Sequence, residues 1–357
     1  MFSKARLHFV NQRNPRQRLP VHATHAHHPC TPFEKSPTMS DLTYLEAIVM
    51  GAIQGVSELF PVSSLAHSIL IPAVIGGSWA RDLNISAANS PYLAFVVGLH
   101  VATAAALVVF FRKDWARIIG GLVSSIRYRR IKTGPERLVW LLIIATIPVA
   151  IAGLLLEHTF RTVFGQPQVT AVFLALNGVV LLLGDRFRRR SQARAELVLV
   201  AQNADAESTA DTRRSALAKE SDDDTAIDSS IVNLGIARGT AIGATQILAL
   251  LPGISRSGVG IIGGMVAGLS HREAARFSFL LATPVILAAG VLKLPSLFGP
   301  MGHGIQGQVL AGSAASFIFA LVAVGFLDRY FRTRTLTPFA IYCMVAGIAA
   351  FVIVTLR

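Results

Sequence analysis

Residues 42–76 read LTYLEAIVMGAIQGVSELFPVSSLAHSILIPAVIG, an apolar stretch interrupted in its middle by Phe60-Pro-Val-Ser-Ser64. Proline removes a backbone donor and clashes with the preceding helical turn, and serines draw backbone groups into local bonds. The stretch is therefore expected to fold as helix, loop, helix rather than as one straight span. A second stretch, residues 231–269, is broken in the same manner by Leu251-Pro-Gly-Ile-Ser-Arg-Ser-Gly258. Gly51-Ala-Ile-Gln54 aligns with Gly243-Ala-Thr-Gln246, and in both copies a serine (Ser63, Ser255) follows twelve residues after the glycine. Irregular backbone at membrane depth is tolerated only where it is buried in protein or lines a wet cavity, so both breaks point to one interior site.

Around these segments lie six unbroken apolar runs: Tyr92–Phe111, Leu138–Glu157, Gln168–Gly184, Phe277–Lys293, Val309–Leu327 and Pro338–Leu356. Each approaches the roughly 20 residues that cross a hydrocarbon core of about 30 Å. Three follow each broken segment. The chain reads as an all-α integral membrane protein built as an inverted repeat, each half a re-entrant helical hairpin plus three transmembrane helices. An odd number of crossings per half turns the second half upside down, as in membrane folds whose sites sit at the midplane on discontinuous helices. The halves are placed at residues 39–190 and 231–357, with the serine-bearing hairpin tips meeting near the bilayer centre.

Composition agrees. Of 357 residues, 52% are hydrophobic and only 15% charged, with a mean hydropathy of +0.54. A soluble domain carries about 25% charged residues, so a water-soluble enzyme and an extended disordered chain are both excluded. Two cysteines, Cys30 and Cys343, make no disulfide framework and no CxxC zinc pattern. The net charge of +13 suggests nucleic acid or an anionic membrane surface, and its distribution decides for the membrane. The loop Arg112–Arg137 holds eight Lys/Arg against two acids. Arg186, Arg188, Arg189 and Arg190 follow the third span, and Arg329, Arg332 and Arg334 precede the last. His158–Pro167 has one arginine and Leu294–Gln308 none. Basic loops on alternate sides define a cytoplasmic face, and no nucleic-acid partner is expected.

Two regions stand apart. Residues 1–38 hold six Lys/Arg and five histidines without an apolar signal-peptide core, and are read as a disordered extension with Met39 as the true start. The cluster His22, His25, His27, His28 and Cys30 resembles a metal tract only superficially. Residues 191–230, with nine acids and four bases, are read as a flexible acidic cytoplasmic insert, with room for a helical patch around Arg194–Gln202.

The first break gathers Gln54, Glu58, Ser63, Ser64 and His67. Gln54 and Glu58 are four apart and share one helix face, and a carboxylate in a membrane segment is a functional candidate by default. The second contributes Gly253, Ser255, Arg256 and Ser257. An arginine at the bilayer centre costs at least about 2.5–3.5 kcal/mol on insertion scales, so Arg256 needs an anionic partner, either phosphate oxygens or Glu58 in the empty state. The helix starting near Ser257 would aim backbone N–H groups at the same anion. Together these parts suggest phosphoryl chemistry on a membrane-embedded substrate. Arg256 clamps an anion, Glu58 acts as base or metal ligand, a serine (Ser64 in the catalytic set) supplies a nucleophile, and His67 shuttles protons. Ser63, Gly253, Ser255 and Ser257 are assigned to phosphate binding. His100 and Asn177 are read first as bundle-facing polar contacts, with lining of the cavity as the second reading. Gly258-Val-Gly-Ile-Ile-Gly263 matches a dinucleotide fingerprint in letters only; without a βαβ context its glycines are read as helix-packing positions.

The stretch from Gln54 to His67 resembles the first signature of the undecaprenyl-diphosphate phosphatase family, the bacitracin-resistance type, and Leu251–Gly258 resembles the second. The resemblance extends to Ala275–Leu280 and Leu281-Ala-Thr-Pro284. It implies hydrolysis of undecaprenyl diphosphate to the monophosphate carrier lipid and phosphate for peptidoglycan synthesis, with resistance to bacitracin. It further implies a divalent cation (Mg²⁺ or Ca²⁺) held by Glu58 and Gln54, and a multi-pass protein of the bacterial inner membrane whose site opens to the extracytoplasmic side. Membrane lipids and a second copy of the chain are the partners expected. His67 and Arg256 match the family's histidine and arginine, and Ser63 and Ser64 its hydroxyl pair. Leu65 and Ala66 depart from the family's usual small residues before the histidine, and Gln54 replaces a glutamate, leaving one fewer charge for a cation. The alternative reading is a transporter or flippase of undecaprenyl phosphate.

Overall fold

The computed structural model describes residues 42–84, 91–203, 224–293 and 304–357. Helix α1 (Tyr44–Leu59) opens on a capping box in which Thr43 Oγ1 accepts from the Glu46 N–H, while the Glu46 carboxylate accepts from the Thr43 N–H. It ends at Phe60, which is extended (ψ 142°), the conformation that a following proline imposes. The chain turns through Pro61–Ser63 into α2 (Ser64–Ile75), capped by Ser63, and then runs through the short α3 (Gly77–Asp82). Helix α4 (Pro91–Phe110) follows, then α5 (Arg112–Tyr128), α6 (Gly134–Phe164) and α7 (Pro167–Asn203).

The rest of the chain holds the second broken segment and three further long helices. A short α8 (Asp224–Asn233) leads into α9 (Gly235–Thr245), a 3₁₀ turn over Gln246–Leu250, and α10 (Arg256–Val266). Three long helices follow: α11 (His271–Lys293), α12 (Gln306–Tyr330) and α13 (Thr337–Leu356). Both breaks fall where proline and serine interrupt the apolar pattern.

Among the described residues six helices, α4, α6, α7, α11, α12 and α13, carry stretches long and apolar enough to cross a membrane, and they coincide with the six unbroken runs of the sequence. Their outer faces present large apolar side chains; Leu155 is 76% exposed and Leu310 71%. A water-facing bundle would not tolerate that surface, and acyl chains satisfy it. The molecule is an all-helical, multi-pass integral membrane protein.

In such a protein helices associate through close backbone contact rather than through expulsion of water. Helix α1 lies on α12 where Gly51 meets the Gly312 carbonyl and Gly55 the Ser316 carbonyl. Helix α9 lies on α6 where Gly243 meets the Ala145 carbonyl. The GxGxxG glycines serve packing too, Gly260 lying against Ser278 of α11.

Charges concentrate at one end. Arg276 pairs with Asp114 at 2.9 Å and with Asp228 at 3.1 Å, and Arg117 bonds to the same two acids, tying α5, α8 and α11 together. Burial pushes the Asp228 carboxyl above its usual range despite the two arginines. Helix α7 continues to Asn203 and α8 begins at Asp224, so both flanks of the region read as an acidic insert are helical. Its centre, residues 204–223, and the N-terminal arm, residues 1–41, lie outside the described residues.

Candidate active site

The two hairpin tips meet. Ser257 Oγ donates to the Phe60 carbonyl at 3.2 Å, joining the second tip to the first. Asn177, fully buried on α7, bridges them from the side. Its Nδ2 donates to the Pro61 carbonyl at 3.0 Å, and its Oδ1 accepts from the Ser255 N–H at 3.0 Å. Asn177 lies near the middle of the apolar part of α7, Pro167–Arg190, and His100 near the middle of Tyr92–Phe110, so the junction sits at mid-depth of the spans.

Glu58 is the centre of the constellation. Its Oε2 accepts from Ser64 Oγ at 2.5 Å and from Gln54 Nε2 at 3.1 Å, and His100 Nε2 lies 3.3 Å from the same oxygen. Arg256 Nη2 stands 3.9 Å from Oε1, an ion-pair distance longer than a hydrogen bond. The guanidinium is thus held by charge and not locked by geometry, which suits a group that must turn to an incoming anion. Glu58 is buried, whereas the Arg256 and His100 side chains are 27% and 20% exposed, so the site opens on their side.

The two histidines differ in their partners. His100 Nδ1 is 2.8 Å from the Val96 carbonyl, which can only accept, so Nδ1 carries hydrogen. Its Nε2 then faces a carboxylate oxygen, and that contact is attractive only if a proton lies between the two. His67 Nδ1 is likewise bound to a carbonyl, that of Ser63 at 2.7 Å. Its Nε2 lies 2.7 Å from the Tyr342 hydroxyl, a hydrogen-bond distance, with the two rings stacked. Both His67 nitrogens are thus engaged, and neither bond is to Glu58; the ring beside the carboxylate belongs to His100, so of its two readings, bundle contact or cavity lining, the second fits.

The serines divide similarly. Ser64 alone among the four has its hydroxyl on Glu58. Ser63 caps α2 by accepting from the Ala66 N–H and adopts φ +64°, rare for a residue with a side chain and typical of strained positions at functional sites. Ser255 caps α10 by accepting from the Gly258 N–H, and its hydroxyl contacts that of Ser257 at 3.0 Å. These two hydroxyls hold the junction together. Gly253, at φ +115°, presses on α7 so closely that a Cβ would strike Phe173, Leu174 and the Thr170 carbonyl; no side chain fits there.

For a cation the donors are few but suitable. Gln54 Oε1 is buried without a hydrogen-bond partner, beside a carboxylate on the same helix face. No group of three His, Cys, Asp or Glu residues among the described residues forms a metal cage. One carboxylate plus an amide oxygen fits an ion of the magnesium type, which keeps several waters and shares its coordination with substrate phosphates.

A multi-pass helical protein whose two broken segments bring a serine, a carboxylate and an arginine together at mid-depth of the spans, with a histidine added by the unbroken α4, has the make-up of an intramembrane enzyme acting on anionic lipids. Comparison with known proteins narrows the class. The family model described as "Bacitracin resistance protein BacA" matches residues 47–349, and the chain belongs to that family. It is 60% identical over 316 residues to an "Undecaprenyl-diphosphatase" of Mycolicibacterium paratuberculosis, covering 88% of this chain and 99% of that protein. It is 59% identical over 318 residues to a protein of the same name from Mycobacterium avium (89% and 99% covered). It is 51% identical over 333 residues to "Undecaprenyl-diphosphatase 2" of Frankia alni (87% and 97% covered).

Proposed function

We propose that this protein hydrolyses undecaprenyl diphosphate to undecaprenyl phosphate and inorganic phosphate, returning the carrier lipid to peptidoglycan synthesis. That activity is the one its relatives' names state, and it accounts for bacitracin resistance in the family, whereas transport of the lipid has no comparable support. The observation that carries the reading is the Ser64 hydroxyl on the Glu58 carboxylate, with Arg256 and His100 on the same group.

Glu58 removes the proton from Ser64 Oγ as that oxygen attacks the terminal phosphorus. The bond from that phosphorus to the bridging oxygen breaks, and Arg256 takes the developing charge of the leaving lipid monophosphate. Glu58 releases that proton through the open edge beside His100; water then attacks the phosphoserine, Glu58 takes the proton of the water and hands it to Ser64 Oγ as the phosphorus–Oγ bond breaks, freeing phosphate. His100 steadies the carboxylate and exchanges its proton through the open edge. His67 bonds the Ser63 carbonyl and keeps the strained turn that aims Ser64. A divalent cation on Glu58 and Gln54 Oε1 would neutralise diphosphate charge.

The reading extends to placement. The basic ends of the spans face the cytoplasm of a bacterial inner membrane, and the site opens toward the extracytoplasmic side. The matched pairs α1 on α12 and α9 on α6 support two inverted halves. The test is phosphate release by the purified protein in detergent, given undecaprenyl diphosphate with Mg²⁺ or Ca²⁺. Wild type is expected to release phosphate and Ser64→Ala to release none. Lipid translocation in vesicles without phosphate release would replace the enzymatic reading with transport.

A further inference from the structure

Away from the junction, where α12 turns into α13 beside α7, a cavity of about 600 Å³ is lined by Arg189, Thr333, Arg334, Thr335, Thr337 and Phe326, among others. Its lining offers two guanidiniums and four hydroxyls, those of Thr333, Thr335, Thr337 and Tyr330, and contains no carboxylate. Arg189 is held in place rather than left to wander. Its Nη2 donates to Asp185 Oδ2 at 3.1 Å and to Thr335 Oγ1 at 3.2 Å. Asp185 is itself buried and bound by His271 and Thr337, yet the Arg189 side chain remains 58% exposed. The Tyr330 hydroxyl donates to the Thr335 carbonyl at 3.2 Å and fixes the turn that carries Thr333, Arg334 and Thr335. Arg334 itself is exposed.

The cavity is also greasy on one side. Phe326 lines it and continues an exposed apolar stripe with Val322 and Phe319, each about one turn further along α12. A molecule that fills this place must therefore present an anionic group to the arginines and an apolar tail to the stripe. Arg189 lies twelve residues beyond Asn177 on α7, about 18 Å along the helix axis, so the cavity is separate from the catalytic junction.

We propose that this cavity binds the phosphate headgroup of an acidic membrane phospholipid, with an acyl chain along Phe326, Val322 and Phe319. Guanidinium forks match phosphate oxygens, and basic pockets between membrane helices select acidic headgroups over zwitterionic ones. The stripe argues for a lipid rather than a free anion.

The experiment uses the full-length protein in nanodiscs of phosphatidylcholine with a minor fraction of phosphatidylglycerol. The lipid retained after detergent extraction is read by native mass spectrometry. Wild type is expected to retain phosphatidylglycerol in preference to phosphatidylcholine. Arg334→Glu should lower that retention on the order of tenfold, while Arg334→Lys keeps most of it. Both variants should hydrolyse substrate in detergent at the wild-type rate, which also shows that they fold. Equal retention of the two lipids, or retention unaffected by Arg334→Glu, overturns the proposal. So does displacement of phosphatidylglycerol by inorganic phosphate alone, which would reassign the cavity to a free anion.

Discussion

At the scale of single residues, the Glu58 carboxylate collects Ser64, Gln54, His100 and Arg256, and each contact makes a separate prediction. Glu58→Gln keeps the side-chain shape but removes the base, and a lost general base costs about 10²–10⁴-fold in rate. Phosphate release should fall by that factor while the thermal melt of the detergent-solubilised protein stays near wild type. His100→Ala removes the proton-bearing partner at 3.3 Å and should lower kcat by at least about tenfold with little change in KM. Unchanged kcat would take His100 out of the mechanism. His67 differs, because its ring braces a backbone turn: His67→Ala takes the ring's bonds from Tyr342 and from the Ser63 carbonyl, which keeps only the bond from the backbone N–H of residue 67 at 3.3 Å. A lost buried hydrogen bond costs about 1–3 kcal/mol. A lowered melt together with lost activity is expected, and Tyr342→Phe should show a smaller form of the same combination.

At the scale of elements, the site exists because two broken helices are clamped tip to tip. Asn177 is the clamp, donating to one tip and accepting from the other. Asn177→Ala orphans the buried Ser255 N–H, at about 1–3 kcal/mol, and leaves the Pro61 carbonyl only the weak bond from the Cys343 thiol at 3.7 Å. Asn177→Asp keeps an acceptor for Ser255 but sets a buried carboxylate oxygen against the Pro61 carbonyl, so its melt should fall at least as far as that of the alanine variant. An alanine variant as stable and as active as wild type would show that the tips hold without the clamp. The same scale explains the small residues of α1 and α9. Gly51→Leu would drive a side chain into the Gly312 backbone and part α1 from α12, and a loss of folded protein in membranes should follow. Gly77, with nothing near its Cα, gives the contrasting case: Gly77→Ala should leave expression intact apart from the strain of its positive φ.

At the scale of the whole molecule, charge and hydropathy set the orientation. Arginines and lysines crowd the Arg112–Arg137 loop, whereas Leu294–Gln308 holds none, so the two loops should lie on opposite sides of the bilayer. With Cys30 and Cys343 replaced by alanine, single cysteines at Arg127 and His303 should react with a membrane-impermeant thiol reagent from opposite sides of sealed vesicles. Labelling of both from one side would overturn the orientation and with it the extracytoplasmic opening.

Much of this could be read before any coordinates. The six spans follow from uninterrupted apolar length, and the breaks at Pro61 and Pro252 follow from what proline does to a helix. Glu58 and Arg256 stand out because charge inside a membrane demands a reason. What the sequence by itself determined is therefore the list of helices, the places where they break and the charges that must find partners. Only the tertiary structure decided which partners those charges found. His100 and Asn177 are single polar residues in otherwise apolar runs, and nothing local distinguishes a ring that meets Glu58 from one that meets another helix. His67 looked like the carboxylate's neighbour through its closeness in sequence, yet the last helix supplies Tyr342 and turns the ring away. Local pattern encodes the solvent each residue must face, whereas contacts between distant segments depend on how closely packed backbones bring separate helices together.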